Sequence, residues 1–162
     1  MTFGITHPLN QKFQIGGDFR IGELTGTQSS GGVEGIPGTG HEYSYSTQLI
    51  GSSLITEGDT TILGLRYSDT NSSDTVSLNL NTRYPLTREL RINPRMQVDY
   101  RLSNGNIGDQ LTFGPSFTID YFWSRRVRFL LDVGAEWSPD WVSGQTDNAL
   151  DFFVTAGYTV NF

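Results

Sequence analysis

The sequence predicts an all-β protein, an eight-stranded antiparallel up-and-down barrel that crosses a membrane. Apolar and polar residues alternate with a period of two in eight segments, which is typical of strands with one apolar face. Residues that favour turns separate these segments. No segment combines a 3.6-residue period with capping residues, and none has the ~18 consecutive apolar residues of a transmembrane helix.

Each of the eight segments can be read as a strand with two distinct faces. In the first, Phe13 and Ile15 fall on one face, whereas Gln14 and Asp18 fall on the other. A tight turn around Gly58 is typical of the breaks between the segments. The predicted strands are, approximately and in order, Lys12 to Leu24, His41 to Leu54, Thr60 to Asp69, Asp74 to Pro85, Glu89 to Leu102, Asp109 to Trp123, Val127 to Trp137, and Ala149 to Phe162.

The predicted connections differ in length at the two ends of the strands. Long loops, Thr25 to Gly40 and Ser138 to Asn148, follow the first and seventh strands, whereas the connections after the second, fourth and sixth strands are tight. Outer-membrane barrels show this asymmetry between extracellular loops and periplasmic turns. We therefore expect residues 1–10 to form an N-terminal periplasmic segment and residues 11–162 to form the barrel, with both termini periplasmic.

Strand length and edge chemistry predict closure in a membrane. About 12 residues at ~3.3 Å each, tilted by ~40°, rise about 30 Å and so cross the ~25 Å apolar band. Hydrocarbon cannot hydrogen-bond an open sheet edge, so the last strand is expected to pair with the first. Pro94 and Pro115 each remove a backbone donor, and we expect a bulge or distortion at both.

The polar face carries seven arginines and seven acids, interspersed with small residues. The interior of an eight-stranded barrel is just wide enough for side chains, so these charges are expected to close the lumen as a network. A soluble barrel of the lipocalin kind would place the charged face outside, in water. A solvated surface normally uses Lys freely, but this chain has ten Arg and a single Lys, which favours guanidinium groups held by carboxylates inside the barrel. The predicted network is Asp18, Arg20, Glu42, Arg66, Arg83, Arg91, Arg95, Asp99, Arg101, Asp120, Arg128, Asp132, Glu136 and Asp151.

The apolar face supports a bacterial outer-membrane location. Aromatic residues lie mostly near strand ends, where membrane proteins place aromatic girdles. The final strand ends in an aromatic residue and resembles the terminal signal by which outer-membrane proteins are recognised for barrel assembly. The expected partners are therefore the lipid bilayer, lipopolysaccharide and the barrel-assembly machinery. The predicted assembly signal is Phe152, Val154, Tyr158, Val160 and Phe162.

Composition excludes several other classes of function. The chain has no cysteine, so it has no disulfide framework, thiolate metal site or cysteine nucleophile. Its net charge of -6 argues against nucleic acid as a partner. His41 has Glu42 and Ser44 nearby, but strand alternation directs both to the opposite face. We therefore predict no enzyme, no metal and no cofactor.

In architecture, the whole chain resembles small OmpA-type or OmpX-type outer-membrane barrels. More narrowly, four segments resemble C-terminal barrels appended to periplasmic tetratricopeptide repeats: Glu42 to Ser53, Gly64 to Asp69, Leu78 to Pro85, and Ala156 to Phe162. Residues 1–10 have no signal-peptide pattern, so either a leader has been removed or the chain is the C-terminal part of a longer protein; we favour the second. This resemblance implies that its own N-terminal periplasmic domain binds partners and that the barrel anchors it.

The favoured function is a membrane anchor whose lumen is closed by Arg/acid pairs. The alternatives are a narrow pore or gated channel, or part of an export porin, in which the same charges line water. A lipid-modifying enzyme is a weaker alternative because it depends on His41. Adhesion through the extracellular loops is another, with Trp141 as the one aromatic of the second long loop.

Overall fold

In the residues that it describes, the computed structural model of the chain is a single antiparallel sheet of nine strands. It describes residues 1–38, 40–105, 108–142 and 145–161, and for Leu24, residues 140–142 and residues 145–148 the backbone alone. Phe162, the end of the predicted assembly signal, lies outside the described residues. The strands are β1 (Thr2–Pro8), β2 (Phe13–Leu24), β3 (Gly40–Ser52), β4 (Thr60–Asp69), β5 (Ser73–Pro85), β6 (Leu90–Ser103), β7 (Gln110–Phe122), β8 (Val127–Val142) and β9 (Gln145–Val160).

The sheet is a simple meander in which each strand pairs with its neighbours in sequence. The predicted all-β, antiparallel, up-and-down order is confirmed. The predicted number of eight strands is wrong, because Thr2–Pro8, expected as an N-terminal segment, forms a ninth strand. Phe3 and Ile5 alternate with Gly4 and Thr6 in this strand, but seven residues beside Pro8 are too short for the periodicity to stand out.

The barrel closure predicted from the sequence is not formed. β1 pairs along β2 from Thr2 opposite Arg20 to Pro8 opposite Gln14, on the edge where closure would place the last strand. Among the described residues, β9 pairs with β8 alone. The sheet is therefore open, with β1 and β9 at its two edges.

The strand register confirms that the two predicted faces are continuous across the sheet. Phe19, Tyr45 and Tyr67 lie opposite one another in β2, β3 and β4, on the apolar face. Asp18 and Ser46 lie opposite each other in the next row, on the polar face. No hydrophobic residue is buried in the part of the chain that the structure describes, so the sheet has no apolar core of its own there.

Pro94 and Pro115 lie in β6 and β7 without a bulge. Pro94 faces Phe117, and Pro115 faces Met96, in one uninterrupted register. The distortion consists of missing backbone pairs: between β5 and β6 no pair forms at Thr82 and Arg83, and between β7 and β8 none forms at Pro115 and several neighbouring positions. The register is the same on both sides of each gap. An extended strand accommodates the fixed φ of proline, so the lost donor interrupts a few rungs without shifting the strand.

Only one of the two predicted long loops is a loop. β8 extends to Val142 and β9 begins at Gln145, so most of Ser138 to Asn148 is strand. The side chain of Trp141 lies outside the described part of the chain. In the other loop, Gly31 and Gly32 have φ angles of 61° and 82°. They form a tight turn that is closed by an isolated antiparallel bridge between Ser30 and Val33.

Side-chain oxygens close the turns at one end of the sheet, which we call the turn end. Asn10 accepts hydrogen bonds from the backbone N–H groups of Lys12 and Phe13 at 2.8 and 2.9 Å. Thr87 plays this part between β5 and β6, and Ser124 does so between β7 and β8. Asn, Ser and Thr favour such turns because a short polar side chain can replace a backbone acceptor. Within the described residues, no helix is long and apolar enough to cross a membrane.

Candidate functional site on the polar face

All fourteen charged residues of the predicted network fall on one face of the sheet. The register links them row by row: Asp18 lies opposite Ser46, Ser46 opposite Arg66, and Ser77 in turn faces both Arg66 and Asp99. The same alternation carries the face through Arg91 opposite Asp120 to the far edge of the sheet. Backbone register, rather than local sequence, therefore assembles the polar face.

Depressions on this face are lined mainly by polar side chains. The first, of about 270 Å³, extends over β2 to β6 and is lined by residues that include Asp18, Arg66, Asn79 and Gln97. Ser46 donates a hydrogen bond to Asp18 at 3.2 Å inside it. Since the polar side chains surround the hollow, the sheet presents its polar face on the inside of its curve.

A cluster at the turn end joins two arginines, a carboxylate and an aromatic ring. Arg128 donates hydrogen bonds to Asp120 from Nε, at 2.9 Å, and from Nη2, and the two side chains form an ion pair. The ring of Phe122 lies beneath the guanidinium carbons of Arg91 and Arg128, at 4.8 and 5.4 Å. Asp120 is only 8% exposed, so this cluster fixes the one charge of the predicted network that is nearly buried.

Most of the other predicted network residues are not brought together as pairs. In the described part of the chain, Arg128–Asp120 is the only ion pair within the predicted set. Hydroxyl and amide groups donate hydrogen bonds to three other acids: Ser46 to Asp18, as described above, Thr118 to Asp132 at 2.9 Å, and Gln97 to Asp99 at 2.6 Å. The arginines that form no ion pair with a described carboxylate are Arg20, Arg66, Arg83, Arg91, Arg95 and Arg101.

The charges are also sorted across the sheet. Four of the arginines lie on β5 and β6, whereas Asp132, Glu136 and Asp151 lie on β8 and β9. Six of the seven predicted arginines are exposed or half-exposed without an ionic partner, so water must solvate them. The polar face can therefore hold water and mobile ions between fixed charges of both signs.

Two aromatic residues on the polar face have contacts that the sequence did not predict. Phe122 belongs to the Arg/Asp cluster, and the Phe153 ring lies over Gly134, where an added Cβ would overlap it. Both occupy positions whose strand phase is polar, and this mismatch between residue type and phase is the signal that could have identified them.

The apolar face ends in aromatic contacts and in an exposed final strand. Phe19 and Tyr45 have ring centroids 4.7 Å apart, and Tyr45 and Tyr67 have centroids 6.4 Å apart. The described residues of the predicted assembly signal lie on this face and are exposed by 42 to 75%: Phe152, Val154, Tyr158 and Val160.

His41 lies at the opposite end of the strands from the turns, at what we call the loop end. Its Nε2 is 3.6 Å from a carboxylate oxygen of Glu23, and both side chains are well exposed. Glu42 and Ser44 fall on the polar face, as predicted, whereas His41 falls on the apolar one. Among the described residues, no three His, Asp or Glu side chains are grouped to hold a metal ion.

Comparison with protein-family models, with curated proteins and with solved structures gave no match.

Proposed function

We propose that this sheet is part of the wall of an outer-membrane β-barrel, with its apolar face in lipid and its polar face lining a water-filled pore. The observation that carries this proposal is the exposure of the apolar face together with the absence of a buried hydrophobic residue in the described part of the chain. Large contiguous apolar surfaces are rare on soluble monomers and mark contacts with membranes or other proteins.

A soluble barrel of the lipocalin kind would need the opposite curvature. It would enclose the apolar side chains and expose the charged ones. Here Asp18, Arg66 and Gln97 line the depression of about 270 Å³, whereas Leu63 and Tyr45 lie on the other face with 42% and 49% of their surface exposed. The direction of the curve therefore favours lipid outside and water inside.

The state of the charges favours a pore over an anchor with a closed lumen. An anchor filled by Arg/acid pairs needs each guanidinium to meet a carboxylate, because an unpaired charge in a dry interior is very costly. Arg95 and Arg101, among others, form no ion pair with any described carboxylate. A hydrated lumen removes this cost, since water solvates each charge where it lies.

Conductance tests the pore directly. The protein, made as its gene encodes it, would be inserted into liposomes, recovered by flotation, and recorded in planar bilayers. Seven arginines and seven acids on the polar face give a net charge near zero, so we expect discrete steps with weak ion selectivity. Arg95→Glu should shift the reversal potential toward cation preference, whereas Arg125→Glu, in an exposed turn, should shift it far less.

Each negative outcome identifies the part of the proposal that fails. Insertion without conductance would favour the anchor, with its lumen closed. Failure to float with liposomes, or a stable monomer in buffer without detergent, would refute the membrane assignment. Fractionation of the native host would test the outer-membrane location and, with it, contact with lipopolysaccharide and the barrel-assembly machinery.

A further inference from the structure

The two outer strands of the sheet differ in length but share one property. β1 has 7 residues and β9 has 16, and among the described residues neither has a partner on its outer side. Phe152, Val154 and Tyr158 of β9 are 72 to 75% exposed, whereas Leu63 and Leu65 in the interior strand β4 are 42 and 46% exposed. The difference is the contact that a strand beyond β9 would supply.

An edge of this kind cannot face hydrocarbon. About half of the N–H and C=O groups of β9 point away from β8, and lipid offers them no hydrogen bond. If the sheet lies in a membrane, as proposed above, both edges must therefore be paired.

The number of strands restricts what can fill the gap. In a nine-stranded antiparallel meander, β1 and β9 run in the same direction. Direct pairing of β9 with β1 would be parallel, and an entirely antiparallel barrel requires an odd number of strands between them. β9 cannot pair with β2 to give the eight-stranded barrel while β1 occupies that edge from Thr2 to Pro8.

A second copy of the chain does not meet these requirements. In the same membrane orientation, its β1 would lie parallel to β9 and would cover only 7 of 16 residues. Pairing of β9 with the partner's β9 is antiparallel but inverts the second copy across the membrane. The two copies would then place the loop of residues 25–38 on opposite sides of the membrane.

We infer that the barrel is completed by an odd number of further transmembrane strands of the same polypeptide, inserted between β9 and β1. The total is then even, as it is in bacterial outer-membrane barrels that are built from a single chain. With adjacent strands ~4.8 Å apart and tilted ~40°, the smallest such barrel, of ten strands, is about 20 Å wide. That width, greater than that of an eight-stranded barrel, is consistent with unpaired, hydrated arginines on the polar face.

Distances between β2 and β9 test the inference, and the cysteine-free chain permits site-specific spin labels. In the polypeptide encoded by the complete gene, Ile15→Cys would be combined in turn with Leu150→Cys, Val154→Cys and Tyr158→Cys. An eight-stranded barrel brings β2 beside β9, so one pair would lie within ~10 Å, and it would form a disulfide if its Cα atoms lie within ~7 Å. A ten-stranded barrel separates these strands by about 16 Å and larger barrels by more, so we expect no disulfide and longer distances.

Two controls keep the outcomes distinct. Ile15→Cys with Leu49→Cys labels residues that face each other in β2 and β3, and it must give a short distance in any folded sample. Single-cysteine Phe152→Cys reports contact between copies. A short β2–β9 distance, strong intermolecular coupling at position 152, or a gene that encodes an even number of further strands, or none, would overturn the inference. Liposome flotation of the same samples tests the membrane location separately.

Discussion

Substitution of Leu65 by arginine tests which solvent the apolar face meets. Leu65 lies in the middle of β4, opposite Thr47 and Leu78, and 46% of its surface is exposed. If that surface contacts lipid near the midplane, Leu65→Arg should lower the free energy of unfolding, and so the stability, by about 2–4 kcal/mol. Such a loss is roughly a 30- to 1,000-fold change in the folding equilibrium. In water, the same exposed position would tolerate the change within about 0.5 kcal/mol.

Asn79→Arg is the matched control. Asn79 lies opposite Gly64, one row from Leu65, but on the polar face, where it lines the depression over β2 to β6. Folding into liposomes would be followed during denaturant titration by fluorescence of the three tryptophans and by heat-modifiable mobility on gels. We expect Asn79→Arg to change stability little. Equal costs for the two variants would refute the assignment of opposite solvents to the two faces.

Three further predictions concern the turn end. Arg128→Gln should destabilise the fold by roughly 1–2 kcal/mol in denaturant titrations, because it leaves the nearly buried Asp120 without its partner. The side chain of Arg128 is 44% exposed, so water screens the ion pair and keeps the loss small. Arg125→Gln is the control and should have little effect. Thr87→Val should cost about 0.5–1.5 kcal/mol, since it removes the acceptor for two backbone N–H groups, and a Thr87→Ser variant that fails to retain stability would contradict this role. Backbone N–H groups, chiefly that of Thr56, hold the pKa of Asp59 below its usual 3.8, so the charged form stabilises the turn. The stability advantage over Asp59→Asn should therefore be complete above about pH 4 and decline as pH falls below that value, and a difference that grows on acidification would contradict it.

The faces of the sheet could be predicted because they depend only on local alternation. Strands such as Thr60–Asp69 agree with the sequence at both ends, and every residue of the predicted charge network lies on the predicted face. A period of two decides on which side each side chain projects, whatever the neighbouring strands are.

The strand number and the closure could not be predicted in the same way. Thr2–Pro8 is short, and its status as a strand depends on pairing with β2 through the turn that Asn10 closes. Closure depends on what meets the edges of β1 and β9, which no periodicity encodes. Similarly, the pattern placed Arg95 and Asp99 on one face but could not decide whether carboxylates or water would meet the arginines.

Pairing only between sequence neighbours has a consequence for assembly. Each hairpin can form from local information, since its turn residues supply their own acceptors, as Ser124 does between β7 and β8. In the proposed barrel, the only non-local step would be the joining of the outer edges, which carries the full loop-closure entropy. Edge substitutions on β9 should therefore slow closure and leave hairpin formation unchanged, whereas turn substitutions such as Thr87→Val should act on the early steps. In that barrel, the edges that leave the sheet open would control the last event of folding.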